Sequence, residues 1–162
     1  QSKVGGPADV QGLFREHFRG LMQEEFHALL LNTKHYLMRD ECITVGLVDR
    51  SQVHAREVFR TAIREGCSRI VLVHNHPSGD PTPSQHDIVC TRQLTEAGKI
   101  IGIAVIDHVI MARPGVRQGR QYVSFREEGL LSVADPSRSR DDGESGPEEQ
   151  PLVVRRDDAL RT

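Results

Sequence analysis

The stretch RIVLVHNHPSGDPTPSQHD, residues 69–87, holds the pattern that decides the fold. Residues 69–74 form a continuous apolar run rich in β-branched side chains, which predicts a central strand covered on both faces. A loop rich in proline and glycine follows over 77–83, and the segment 84–87 has the polar composition of a helix start. The stretch therefore predicts a buried strand, a turn and a helix in direct succession.

The flanking segments alternate between helical and strand patterns. Apolar residues at helical spacing predict a first helix over 10–22, and a second helix over 55–65 ends at Gly66. Strands are predicted at 26–31, 36–38, 43–48, 100–106, 109–112 and 122–125, with turns at 32–35 and 113–119. The helix that starts at Ser84 is predicted to stop at Gly98. This order predicts a mixed α/β (α+β) fold.

Composition limits the class of protein. A chain of 162 residues with 37% hydrophobic and 4% aromatic residues is long enough for one domain with an aliphatic core. The formal charge of −2 gives no electrostatic argument for nucleic acid or a membrane surface. The 3 widely spaced cysteines, the lack of a long apolar run and the lack of a signal-peptide pattern predict a cytosolic protein. The polar segment 132–162 predicts a disordered acidic tail.

Three side chains in the opening stretch suit a metal ion. His74 and His76 stand at i and i+2, so they project from one face at the end of the buried strand. Asp87 would lie in the first turn of the next helix, where its carboxylate can point back to the strand end. Two imidazoles and one carboxylate, with a fourth position left to water, are the ligand set of a catalytic zinc site.

Hydrolysis at such a site needs two further groups. A carboxylate must accept the proton of the attacking water, and Glu24 and Glu25 stand at the head of an early strand, where only one of them can face the metal. A donor is also needed for the developing oxyanion, and Ser84 lies three residues before Asp87.

These residues together resemble a known motif. An early glutamate, H-x-H, seven residues, a serine, two residues and an aspartate form the JAMM motif of MPN+ metalloproteases. The string HNHPSGDPTPS, the later segment IDHVI at 106–110 and the segment YVSF at 122–125 resemble the RadC family more closely still. The resemblance covers about residues 20–131.

The resemblance implies both a fold and an activity. The fold would be an MPN/JAB-like domain, similar to cytidine deaminases, with a mixed β-sheet flanked by helices. Residues 1–19 would be a helical lead-in, 20–131 the domain and 132–162 the tail. His74, His76 and Asp87 would bind one Zn²⁺, Ser84 would support the oxyanion, and Glu24, two residues before Phe26, would be the general base. The family's motif implies cleavage of a peptide or isopeptide bond in an unidentified peptide or protein substrate.

Several alternatives remain open from the sequence. Ser84 and Asp87 also form a capping box, which is compatible with metal binding. The pair Asp107–His108 favours an ion pair at a strand end over support for a ligand histidine.

A rival interpretation is a DNA repair or recombination protein that binds DNA or uses the metal to cleave its phosphodiester bonds. The family is associated with DNA repair, and Arg56, Arg60 and Arg64 form a helical stripe, although a solvated surface is favoured for it. A zinc-holding scaffold without catalysis is also possible. His17 and His27 have no partner at ligand spacing, and His86 is expected to face solvent.

Overall fold

Eight regular elements make up the described part of the chain. The computed structural model describes residues 1–46, 53–115 and 119–131. In chain order the elements are α1 (Pro7–Phe18), β1 (Glu25–Leu31), β2 (Leu37–Val45), α2 (Ala55–Glu65), β3 (Arg69–His76), α3 (Gln85–Ile101), β4 (Ala104–Ala112) and β5 (Tyr122–Ser124). The predicted tail over 132–162, the end of the predicted strand 43–48 and the middle of the predicted turn 113–119 lie outside the described residues.

The five strands form one mixed sheet in the order β2-β1-β3-β4-β5. β1 pairs antiparallel with β2 and with β3, β3 pairs parallel with β4, and β4 pairs antiparallel with β5. The parallel step from β3 to β4 needs a crossover, and α3 provides it. The prediction of a central, buried strand at β3 is confirmed, since seven of its eight residues are buried.

Helices cover both faces of the sheet, as predicted for this fold class. Alternate residues of β3 enter two separate cores, because side chains in a strand point to opposite faces in turn. The first core joins Ile70 and Leu72 of β3 to residues of α2 and α3, among them Phe59 and Leu94. Cys67 and Cys90 also pack there, in apolar surroundings.

The second core lies on the opposite face of the sheet. It joins Val71 and Val73 to Val10, Phe14 and Phe18 of α1. His74 and His76 continue the alternation of Ile70 and Leu72, so they lie on the face that α2 and α3 cover. Within residues 1–46, 53–115 and 119–131, no helix is both long enough and apolar enough to cross a membrane.

Two predicted breaks in strands are absent from the structure. The segments 36–38 and 43–48 were predicted as separate strands, but residues 37–38 and 43–45 belong to the single strand β2. Its charged middle, Arg39 to Glu41, pairs with β1 because an edge strand can leave such side chains in solvent, and register shifts absorb the irregularity. The two segments predicted at 100–106 and 109–112 are likewise one strand, β4, which begins at Ala104.

Helix ends differ from the sequence prediction in opposite directions. α1 stops at Phe18, before the apolar residues Leu21 and Met22 that suggested a longer helix. α3 runs past Gly98 to Ile101 and ends at Gly102, whose φ of 86° is left-handed. Gly98 serves close packing instead of termination, because a Cβ there would meet the Ile103 carbonyl oxygen at 2.4 Å.

Candidate metal centre

The end of β3 and the start of α3 bring His74, His76 and Asp87 together. Nε2 of His74 lies 3.0 Å from Nε2 of His76. The two oxygens of Asp87 divide between them, with Oδ1 3.3 Å from His74 Nε2 and Oδ2 3.4 Å from His76 Nε2. All three side chains are buried. We call them the His74–His76–Asp87 group.

The spacing of the candidate ligand atoms suits a small divalent cation. In a tetrahedral zinc site with bonds of about 2.0–2.2 Å, neighbouring ligand atoms lie about 3.4 Å apart. The three distances in the group, 3.0, 3.3 and 3.4 Å, are close to this value. The two contacts of Asp87 use different oxygens, and either oxygen could join the two Nε2 atoms as a ligand.

A chain of buried hydrogen bonds determines which nitrogen of His74 carries the proton. The Thr91 hydroxyl donates to the Asp87 carbonyl at 2.7 Å, so its oxygen must accept from Nδ1 of His108, 2.6 Å away. Nε2 of a neutral His108 is then an acceptor, and it lies 2.7 Å from Nδ1 of His74. His74 therefore carries its proton on Nδ1 and presents the lone pair of Nε2 to Asp87.

A single hydrogen bond fixes the proton of His76 on the same nitrogen, Nδ1. Its Nδ1 lies 2.8 Å from the carbonyl oxygen of Asp80, which can only accept, so Nδ1 carries the proton. Nε2 of neutral His76 thus also presents a lone pair. Two lone pairs 3.0 Å apart beside a buried carboxylate repel one another, and a cation between them removes the repulsion. The protonation pattern therefore favours a metal ion at this point.

Ser84 and Asp87 form the capping box that the sequence allows. The Asp87 N–H donates to Ser84 Oγ at 3.1 Å, and the Ser84 N–H donates to Asp87 Oδ2 at 2.8 Å. Burial raises the pKa of Asp87, whereas the hydrogen bond that the Ser84 N–H donates to its carboxylate lowers it. The cap thus fixes an ionised carboxylate opposite the two histidines.

Strand alternation, extended back by one residue from β1, separates the two candidate bases. The ring of Phe26 stacks on that of His74 with centroids 5.8 Å apart, so Phe26 faces the metal group. Glu25 points the other way, where its Oε2 lies 2.7 Å from Nε2 of His17. Glu24 is half-buried and directly precedes β1, and alternation from Phe26 places it on the face of the metal group. This arrangement favours Glu24 over Glu25 as the base.

His108 has a closer connection to the group than the sequence suggested. The favoured ion pair between Asp107 and His108 is wrong, because the two side chains leave β4 on opposite faces. Asp107 accepts from Ser124 Oγ at 2.6 Å and from the Arg126 N–H at 3.0 Å, whereas fully buried His108 contacts His74. Strand alternation within 106–110 was the signal that could have separated them. Thr91, one helical turn after Asp87, gave no signal of its own.

The remaining predicted surface features lie where solvent reaches them. His86 is exposed, as expected. Arg56, Arg60 and Arg64 are exposed on α2, and Glu57 lies 3.4 Å from Arg56 and 3.5 Å from Arg60. The acidic neighbour partly neutralises the stripe, whose contact with DNA stays a prediction.

Comparison with known proteins identifies the family. The model of the RadC-like JAB domain family matches residues 4–130. The UPF0758 protein of Desulforamulus reducens is 49% identical over 125 residues, which cover 77% of this chain and 52% of the relative. A UPF0758 protein of Alkaliphilus oremlandii is 50% identical over 129 residues, covering 80% of this chain and 53% of the relative. The chain thus spans about half the length of these relatives, and it belongs to the RadC-like JAB domain family.

Proposed function

We propose that this domain is a zinc-dependent hydrolase that cleaves a peptide or isopeptide bond. The observation that carries the proposal is the convergence of the Nε2 atoms of His74 and His76 and the carboxylate of Asp87 on a single point. His74, His76 and Asp87 would hold the ion. Three protein ligands would leave a coordination position for water or substrate, as in catalytic zinc sites.

The chemistry divides between the ion and the protein. A bound zinc ion in such a site acidifies water and polarises a carbonyl group. Glu24 would accept the proton of the attacking water and later deliver it to the leaving amine, the usual duty of a carboxylate base. Strand alternation extended back from Phe26 would place Glu24 on the face of His74, and this supports the role.

Ser84 would support the oxyanion. Its hydroxyl accepts a hydrogen bond from the Asp87 N–H, and a hydroxyl that accepts can also donate through its own hydrogen. The side chain is exposed at the N-terminus of α3, where the helix dipole also favours negative charge. The residue that caps the helix is therefore suited to stabilise charge developing on a substrate carbonyl.

The test is a cleavage assay on a peptide and isopeptide library, with the metal content of the protein measured in parallel. We expect zinc-loaded protein to cleave members of the library, chelation to stop cleavage and added zinc to restore it. Zinc binding without any cleavage would contradict the hydrolase proposal and favour a zinc-holding scaffold. We also propose that the protein is located in the cytosol.

A further inference from the structure

We propose that the chain has a second divalent-metal site, formed by His17, Glu25 and His27 on the opposite face of the sheet. One ligand atom from each of these residues lies within 4.8 Å of the others. Glu25 Oε2 is 2.7 Å from His17 Nε2 and 3.4 Å from His27 Nε2. This site is separate from the His74–His76–Asp87 group and does not depend on the proposed hydrolase activity.

The fold brings the three residues together from two elements. Glu25 and His27 stand at i and i+2 on β1 and share the face opposite Phe26, while His17 lies in the last turn of α1, which packs on that face. The two imidazole rings are nearly perpendicular, at 84°, with centroids 5.5 Å apart. In this arrangement Nε2 of each ring is directed at the same carboxylate oxygen.

Asp40 supplies the support that metal-binding histidines require. Its Oδ1 lies 2.7 Å from Nδ1 of His27, on the far side of the ring from Glu25. A carboxylate that accepts from Nδ1–H fixes the orientation of the ring and raises the basicity of Nε2, as in the carboxylate–histidine–zinc arrangement. His27 thus has a carboxylate at each ring nitrogen, Asp40 at Nδ1 and Glu25 at Nε2.

The degree of burial suits an ion that enters from solvent. The side chains of His27 and Glu25 are 4% and 12% exposed, so they are held in place, whereas that of His17 is 49% exposed. The open side at His17 gives an ion access and leaves a position for water. Two imidazoles and one carboxylate favour zinc over magnesium or calcium, which prefer oxygen ligands.

The competing explanation is a set of hydrogen bonds between protonated histidines and Glu25, without a metal. The distance of 2.7 Å between His17 and Glu25 suits such a hydrogen bond and must open by about 0.7 Å to reach the spacing of tetrahedral zinc ligands. His17 is exposed at the end of a helix, so its side chain can move this far. A metal there would link α1 to β1 and should stabilise the fold, since the unfolded chain has no preformed site.

The two sites can be counted separately in the metal-free 162-residue chain by titration with zinc against a chromophoric chelator. We expect two equivalents in the parent protein, one in His17→Ala, one in His74→Ala and none in the double variant. His54→Ala removes an exposed imidazole outside both groups and should keep both equivalents. If His74→Ala does not fold, His76→Ala takes its place.

Thermal denaturation supplies a second readout. Zinc should raise the Tm of His74→Ala and leave the Tm of the double variant unchanged. The second site is overturned if His17→Ala binds as many equivalents as the parent, or if zinc stabilises the double variant as much as His74→Ala. If the parent binds only one equivalent and His74→Ala alone loses it, the second site is absent and the metal centre of the proposed function stands. If His17→Ala alone loses that equivalent, the second site stands and the metal centre of the proposed function is contradicted.

Discussion

Replacing Thr91 with valine removes one buried hydroxyl and tests how the proton on His74 is fixed. Thr91 is 1% exposed, and valine keeps its branched shape. Without the hydroxyl, Nδ1–H of His108 loses its Thr91 acceptor, which costs about 1–3 kcal/mol in a buried site. His108 can avoid that cost by moving its proton from Nδ1 to Nε2. The new Nε2–H then points at the Nδ1–H of His74, so two donors face each other.

His74 must then shift its own proton to Nε2, the atom that faces the metal position. We therefore expect Thr91→Val to weaken zinc binding at this centre about 10–100-fold, the usual effect of losing a residue that orients a ligand. This corresponds to about 1.4–2.7 kcal/mol, within the range set by the lost hydrogen bond. Competition with a chelator measures this zinc affinity, in a His17→Ala background that removes the second metal site.

Thr95 provides a matched control for this prediction. It is 4% exposed, and its hydroxyl donates to the Thr91 carbonyl at 2.7 Å, as that of Thr91 donates to the Asp87 carbonyl. Thr95→Val should therefore change stability to a similar degree and leave zinc affinity within about twofold, well below the 10–100-fold effect of an orienting residue. Equal zinc affinity in Thr91→Val and the parent, or an equal loss in Thr95→Val, would refute the hydrogen-bond chain.

Two further predictions concern the base and the packing of α3. Glu24→Gln should keep zinc bound while cleavage falls by about 10²–10⁴-fold, whereas Glu25→Gln, changed on the opposite face, should still cleave; the reverse pattern in a peptide assay would exchange their roles. Gly98→Ala should lower the free energy of unfolding by about 1–3 kcal/mol, because its Cβ would meet the Ile103 carbonyl oxygen at 2.4 Å. Gly12→Ala, in an open part of α1, should raise it by about 0.5–1 kcal/mol. Urea denaturation of both variants measures the free energy of unfolding. A Gly98→Ala protein as stable as the parent would contradict the close contact.

The local part of the metal centre could be predicted from the sequence. Alternation along β3 puts His74 and His76 on one face, and the helix start after the proline-rich loop puts Asp87 in the first turn. These relations depend on residues within one short stretch, and two regular periodicities fix them. The structure accordingly brings these three side chains together.

The support around the centre could not be predicted in the same way. His108 reaches His74 because β4 pairs in parallel with β3 in a register that places His108 opposite Leu72. The sequence does not fix that register. It therefore favoured an ion pair between Asp107 and His108 over the contact of His108 with a ligand histidine. Contact of His17 with His27 likewise depends on how α1 crosses the sheet, which no local spacing encodes.

Element boundaries failed where packing overrode local signals. The charged residues 39–41 looked like an interruption, but they belong to an edge strand with solvent on its outer side. Gly98 looked like a helix terminator, yet it lies inside α3 because a larger side chain would collide with the chain that leads into β4. In both places tertiary contacts outweighed intrinsic propensity.

Anomalous diffraction at the zinc absorption edge, from crystals grown with zinc, tests the central claim most directly. We predict an anomalous peak about 2.0–2.2 Å from Nε2 of His74, Nε2 of His76 and a carboxylate oxygen of Asp87. Zinc-containing crystals in which these three side chains converge but no peak lies between them would contradict the assignment of this group as the metal centre.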